Sequence, residues 1–219
     1  SNTAKKQNLN PLVLREIGFA MIIAGLIGAR LGHVFLYEPA YFLAHPIDIL
    51  KVWHGGMSSY GGFAGAIVAF FWGAKKYKLD KKLWPKVADV MVWPSIVGWV
   101  IGRLGCLAIH DHLGAHSTCP LAIITTTGPR LEMTLLELIG LLPLALGLWL
   151  TRQRTWAPGT RLVIMGVYYS LLRFGLDFYR ATDLVVSDTR YLGLTPAQYF
   201  SIIAAAWGSH WLYKHRPRA

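Results

Sequence analysis

The chain has 219 residues, 54% of them hydrophobic and 13% aromatic, and carries a net charge of +11. That is too apolar for an ordinary soluble domain and fits a protein that crosses a membrane several times. The Lys and Arg residues fall in short blocks between apolar runs rather than on one amphipathic face, which argues against a nucleic-acid partner and matches cytoplasmic loops.

Residues 1–15 are polar and basic, with Asn10 and Pro11 marking the entry to a first helix. A chain that starts at Ser1 instead of Met carries the expectation of upstream sequence. Residues 16–38 are predicted to span a bilayer core of about 30 Å. Within them Gly25, Gly28, Ala29 and Gly32 permit close helix contact, and Arg30 either snorkels to an interface or serves a site. Residues 39–56, with Pro39 and Pro46, read as an interfacial or re-entrant segment. Met57 to Ala74 is the second predicted span. Its opening Tyr60-Gly61-Gly62 lets the backbone bend, approach a ligand or pack tightly against a helix.

Lys75 to Lys86 contains six lysines and is placed in the cytoplasm by the positive-inside rule. The third span, 87–108, holds Asp89, Pro94 and Arg103 and leads to an outer loop from His110 to Arg130. In that loop Leu121 to Thr127 is predicted as a short strand with Gly128-Pro129 as its turn. Spans four, five and six cover 132–151, 160–179 and 194–213. The expected fold is therefore an all-α integral membrane protein forming one domain over 1–219, with about six spans, an interfacial helix and a small outer loop region. Both ends of the chain are expected on the cytoplasmic side.

Arg30, Asp89, Arg103, Glu137, Arg173, Asp177 and Arg180 lie within or at the ends of apolar spans, where each charge costs roughly 2.5–3.5 kcal/mol on insertion scales. Arg173 and Asp177 have the i,i+4 spacing of an ion pair. Arg103, Arg173 and Arg180 sit at outer-leaflet depth, and a guanidinium fork suits phosphate oxygens, so a phospholipid head group is the natural ligand. Cys106, His110, His112, His116 and Cys119 are zinc-type residues, equally suited to packing, and the histidines to proton transfer near neutral pH. No metal and no cofactor is expected.

Trp53-x-Gly55-Gly56-Met57-Ser58-x-x-Gly61-Gly62, Gly102-Arg103-Leu104-Gly105 with Gly114, and Tyr169-x-x-x-Arg173-x-x-x-Asp177-x-x-Arg180 together resemble the phosphatidylglycerol:prolipoprotein diacylglyceryl transferases of bacterial inner membranes. Gly28-x-Arg30-x-Gly32 and Gly193-Leu194-Thr195-x-x-Gln198 are similar too, so the resemblance covers nearly the whole chain in order. It implies transfer of a diacylglyceryl group from phosphatidylglycerol to the lipobox cysteine of a prolipoprotein, with glycerol phosphate released, in the inner membrane. By position, Arg103 and Arg173 would hold the lipid phosphate, Arg180 would support that charge, and Tyr169 would orient the head group. Arg30, Gly61, Gly62, Asp111, Gly114 and Glu137 would complete the substrate site.

The family's His before the second Gly-Gly is Tyr60 here, its Asn after Arg-x-Gly is Cys106, and its Asn-Gly-Glu is Ile109-His110-Asp111. Of its His-Pro-x-Gln-x-Tyr-Glu run, Glu137 is kept, and Leu131-Glu132-Met133-Thr134 replaces the beginning. The family also has one more N-terminal helix. Proton handling then falls to His54, Tyr60, His110 or His112. Transfer to another acceptor, phospholipid binding without turnover, and small-solute transport remain as alternative readings.

Overall fold

A computed structural model describes residues 10–52, 55–108, 110, 112–184 and 188–215. The expected positions Trp53, His54, Ile109 and Asp111 lie outside these. The protein is mostly helical and divides into two compact units, Ser1–Met91 and Val92–Ala219.

In the first unit α1 (Pro11–Leu36) starts where Asn10 Oδ1 accepts from the Leu12 amide at 3.0 Å, with Pro11 already holding helical φ. A short helix α2 (Pro39–Ala44) and a 3-10 turn (Pro46–Leu50) follow, each opened by its proline. Helix α3 (Ser59–Lys76) is capped by Ser58, whose hydroxyl accepts from the Gly61 amide at 3.2 Å. α1 and α3 run antiparallel along a glycine seam. A Cβ on Gly28 would lie 2.4 Å from the Gly61 carbonyl oxygen, and one on Gly65 would lie 2.1 Å from that of Ala24, so no larger residue fits at either place. Leu14, Ile17, Phe70, Val87 and Met91 form the core of this unit.

Helix α4 (Trp84–Ala108) begins in the first unit and continues into the second. There Val92 and Ile96 pack with Leu141, Leu144 and Leu148 of α5 (Met133–Leu150) and Met165 of α6 (Thr160–Leu176). A 3-10 turn, Asp177–Tyr179, extends α6. Helix α7 (Pro196–Lys214) opens on a full capping box in which Thr195 Oγ1 accepts from the Gln198 amide at 3.2 Å and Gln198 Oε1 accepts from the Thr195 amide at 3.0 Å.

Among the described residues four helical segments are long and apolar enough to cross a membrane: Pro11–Leu36, Lys81–Ala108, Met133–Leu150 and Thr160–Tyr179. Helices α3 and α7 fall outside that set, because Lys75 and Lys76 lower the hydropathy of α3 and Gln198 and His210 that of α7. One face of α1 turns apolar side chains outwards, with Phe19, Ile22, Leu26, Ile27 and Phe35 all exposed, as hydrocarbon surroundings require and water would penalise, while Leu14, Ile17 and Val34 are buried.

Where the sequence predicts one strand, three form: β1 (Leu113–His116), β2 (Ala122–Thr125) and β3 (Gly128–Glu132), antiparallel in the order β1-β3-β2. The turn is at Thr126-Thr127, not at Gly128-Pro129. Gly128, at φ 107°, opens β3, and the Thr125 hydroxyl donates to its carbonyl at 2.7 Å. Pro129 sits inside a central strand because β1 pairs with β3 no further than His116↔Arg130, so the missing amide has no ladder partner to satisfy there. The Pro129 carbonyl still accepts from the Ser117 amide at 3.1 Å.

Candidate active site

In the first unit Arg30 is 5% exposed, and all five of its N–H groups point at backbone carbonyls. Nε donates to Ile49 (2.9 Å), Nη1 to Gly55 (2.6 Å) and Gly56 (3.1 Å), and Nη2 to Asp48 (2.6 Å) and Lys51 (3.3 Å). The Phe42 ring lies 5.1 Å from the guanidinium carbon. Arg30 thus gathers the segment after α1 around its own charge. Tyr60 sits in the first turn of α3 with its ring against Phe63, and Gly61 and Gly62 face α1 in the seam; close backbone packing accounts for Gly61, where a Cβ would lie 2.4 Å from the Gly28 carbonyl oxygen, whereas a Cβ on Gly62 would meet ordinary contacts of 3.4 Å.

In the second unit the charged residues of three helices meet. Arg103 on α4 presents a fork to Glu137 on α5, with Nε donating to Oε1 at 3.0 Å and Nη2 lying 2.9 Å from Oε2. Arg173 on α6 reaches the same Oε2 through Nη1 at 3.4 Å and pairs through Nε with Asp177 Oδ1 at 3.1 Å. Arg103, Glu137 and Arg173 are 7%, 2% and 5% exposed. Two buried guanidinium groups therefore converge on one carboxylate. Tyr169, one turn before Arg173, is buried with Trp99 at 4.1 Å edge-on.

Asp177 is a second junction. Its Oδ1 lies 3.2 Å from Arg180 Nε, its Oδ2 accepts from the Thr195 hydroxyl at 2.5 Å, and its carbonyl accepts from Arg190 Nη2 at 3.0 Å. Arg180 also pairs with Asp188. Arg103, Arg173 and Arg180 are matched by Glu137, Asp177 and Asp188, so the buried positive groups are held by neighbouring anions, as a low-dielectric setting demands.

The sheet attaches to this cluster at Gly114, which bridges to Arg180, while the Ala181 amide donates to Leu113 at 3.3 Å. A Cβ on Gly114 would lie 2.7 Å from Met133 Sδ and 2.8 Å from the Tyr179 carbonyl oxygen, so glycine alone permits this closeness. His110 Nδ1 lies 2.9 Å from Glu132 Oε2, and Glu132 Oε1 caps α5 by accepting from the Thr134 amide at 3.2 Å. His112 is half-buried, and its carbonyl accepts from the Met133 amide at 3.1 Å. Among the described residues no three His, Cys, Asp or Glu side chains gather as metal ligands.

Sequence reasoning passed over Arg130, 1% exposed, which forks onto Asp183 at 3.0 and 2.5 Å and meets His116 Nε2 at 2.9 Å. That guanidinium holds the Asp183 carboxyl at about 2, below the usual carboxylate range. It also passed over Glu132 as a fully buried carboxylate and Asp188 as the Arg180 partner. The signal available for Glu132 is its place just before an apolar run, where an acidic cap is favoured.

The prolipoprotein diacylglyceryl transferase family model matches residues 1–213. A phosphatidylglycerol--prolipoprotein diacylglyceryl transferase of Nitrosomonas europaea is 32% identical over 211 residues, covering 93% of this chain and 74% of the relative. Its namesake in Cupriavidus necator is 30% identical over 94% of this chain and 77% of the relative, and that of Chloroherpeton thalassium is 34% identical over 87% and 72%. The three-helix arginine site lies inside the matched region, and the chain belongs to the prolipoprotein diacylglyceryl transferase family.

Proposed function

We propose that this protein transfers the diacylglyceryl group of phosphatidylglycerol to the lipobox cysteine thiol of prolipoproteins and releases glycerol phosphate. The convergence of Arg103 and Arg173 on Glu137 carries the reading. A phosphodiester anion has the charge and paired oxygens of a carboxylate, and a guanidinium has five N–H donors, more than one carboxylate engages. Arg103 and Arg173 bind the lipid phosphate and stabilise the charge that grows on it as the ester bond breaks. Glu137 keeps the two cations together before the lipid arrives. Tyr169 and Arg180 support the head group, Asp177 fixes Arg173 and Arg180, and Gly114 ties the sheet to the site.

The chain sits in the bacterial inner membrane with α1, α3, α4, α5, α6 and α7 as six spans, α2 at the interface, and the sheet on the periplasmic side. The blocks Lys75–Lys86 and Arg152–Arg154 face the cytoplasm together with both ends of the chain. The partners are phosphatidylglycerol, prolipoproteins and the bilayer. Incubation of the purified protein with labelled phosphatidylglycerol and a lipobox peptide gives a thioether product that is lost in Arg103→Lys. No product at any pH would refute the reading.

A further inference from the structure

The acceptor thiol must lose a proton, because the thiolate is the attacking species and an unperturbed cysteine titrates at roughly 8.5.

We infer that His110, oriented by the buried carboxylate of Glu132, is the base that takes the proton from the acceptor thiol; this rests on the transferase reading above. The side chain of His110 is 54% exposed, whereas that of Glu132 is 0% exposed. The contact is through Nδ1, so the Nδ1–H donates to Glu132 and the lone pair of Nε2 is left as the proton acceptor. Glu132 is itself fixed, because its other oxygen accepts from the Thr134 amide at the start of α5. A buried carboxylate behind an accessible imidazole selects one tautomer and stabilises the imidazolium that forms.

The placement fits the phosphate site. Glu132 and Glu137 are five residues apart at the head of α5, a rise of about 7.5 Å. His110 follows α4, whose Arg103 is bound to Glu137. The two elements are therefore joined twice, by Arg103 with Glu137 at depth and by His110 with Glu132 nearer the end. Among the described residues Glu132 is the charged group in contact with His110, while Cys106 and Arg103 lie four and seven residues back along the chain.

In the reaction the thiol proton moves to His110 Nε2, and the sulfur pair forms the S–C bond at the primary glyceryl carbon. The C–O bond to the phosphate oxygen breaks, that oxygen keeps the pair, and glycerol phosphate leaves from Arg103 and Arg173. His110 then returns its proton to solvent. His110 touches the substrate, while Glu132 is a positioning residue.

The test compares the full-length protein with His110→Gln and Glu132→Gln, using lipobox peptides that carry cysteine or selenocysteine. A selenol is ionised at neutral pH and needs no base. We expect His110→Gln to lower turnover on the cysteine peptide by about 10²–10⁴-fold and to restore most of it on the selenocysteine peptide, with phosphatidylglycerol binding unchanged. Glu132→Gln should lower kcat less and move the pH profile on cysteine alone. Wild-type turnover by His110→Gln on cysteine, or equal losses on both peptides, would overturn the inference. A wild-type protein inactive on both peptides would instead remove the transferase reading and the inference with it.

Discussion

Glu137→Ala is the sharpest probe of the site, because it removes the anion shared by Arg103 and Arg173 and leaves their forks in place. All three side chains are at least nine-tenths buried, so the two guanidinium groups would face each other without a screening solvent. Breaking a buried pair in this way costs about 3–5 kcal/mol, which in a chain of this size lowers Tm by about 6–20 °C. Thermal unfolding in detergent, followed by dye attachment to the half-buried Cys106 thiol in a Cys119→Ser background, reads that loss. Phosphatidylglycerol should then stabilise Glu137→Ala more than it stabilises wild type, since the lipid phosphate replaces the missing carboxylate. At a hundredfold excess over Kd the gain is about 2.7 kcal/mol, and diacylglycerol, which carries no phosphate, should not give it. A Tm unchanged by Glu137→Ala, or an equal response of both proteins to the two lipids, would refute the shared-anion argument.

Other positions test the frame. Gly65→Ala should lower Tm by overpacking of about 1–3 kcal/mol, because its Cβ would lie 2.1 Å from the Ala24 carbonyl oxygen. Gly98→Ala, where nothing among the described residues lies within 4 Å of the added carbon, should leave Tm unchanged or raise it. Arg30→Lys supplies three donors for five carbonyls and should expose the backbone near Lys51 to protease. Asp183 is held at about 2 by Arg130, below the ordinary 3.8, so its contribution is complete above pH 4 and is lost as pH falls toward 2. Hydrogen exchange at Ala181–Leu184 should rise over that interval in wild type, and Asp183→Asn should show fast exchange throughout.

What the sequence made legible were features whose cause is local. Arg173 and Asp177 could be paired from their spacing, since i,i+4 residues share a helix face. The entry to the first helix at Asn10 and Pro11 follows from cap chemistry a few residues long. Glu137 stood out as a charge in an apolar span, but its role did not, because its partners are 34 and 36 residues away. Arg130 lay further out of reach, with Asp183 53 residues off and no periodic pattern to join them. Arg30 was ambiguous for another reason: its partners are carbonyl oxygens, which every residue has, so no side-chain type in the sequence marks them. The sheet was read as one strand because β1 and β3 are only four and five residues long and carry glycine and proline, the residues that strand patterns exclude.

The two carboxylates at the heart of the second unit divide the work between holding charge and holding position. Glu137 takes both of its cations from other helices, and its removal changes how α4, α5 and α6 are electrostatically joined. Asp177 takes Arg173 and Arg180 from its own stretch of chain and Thr195 from the cap of α7, so it fixes local geometry more than it joins distant elements. Arg173 is the residue common to both. Through Arg180 and the Gly114 bridge, Asp177 also reaches the sheet, which lies between His110 and Glu137 in sequence. A thiol delivered to one end of this network and a phosphate bound at the other would meet groups whose positions are set by the same few buried charges.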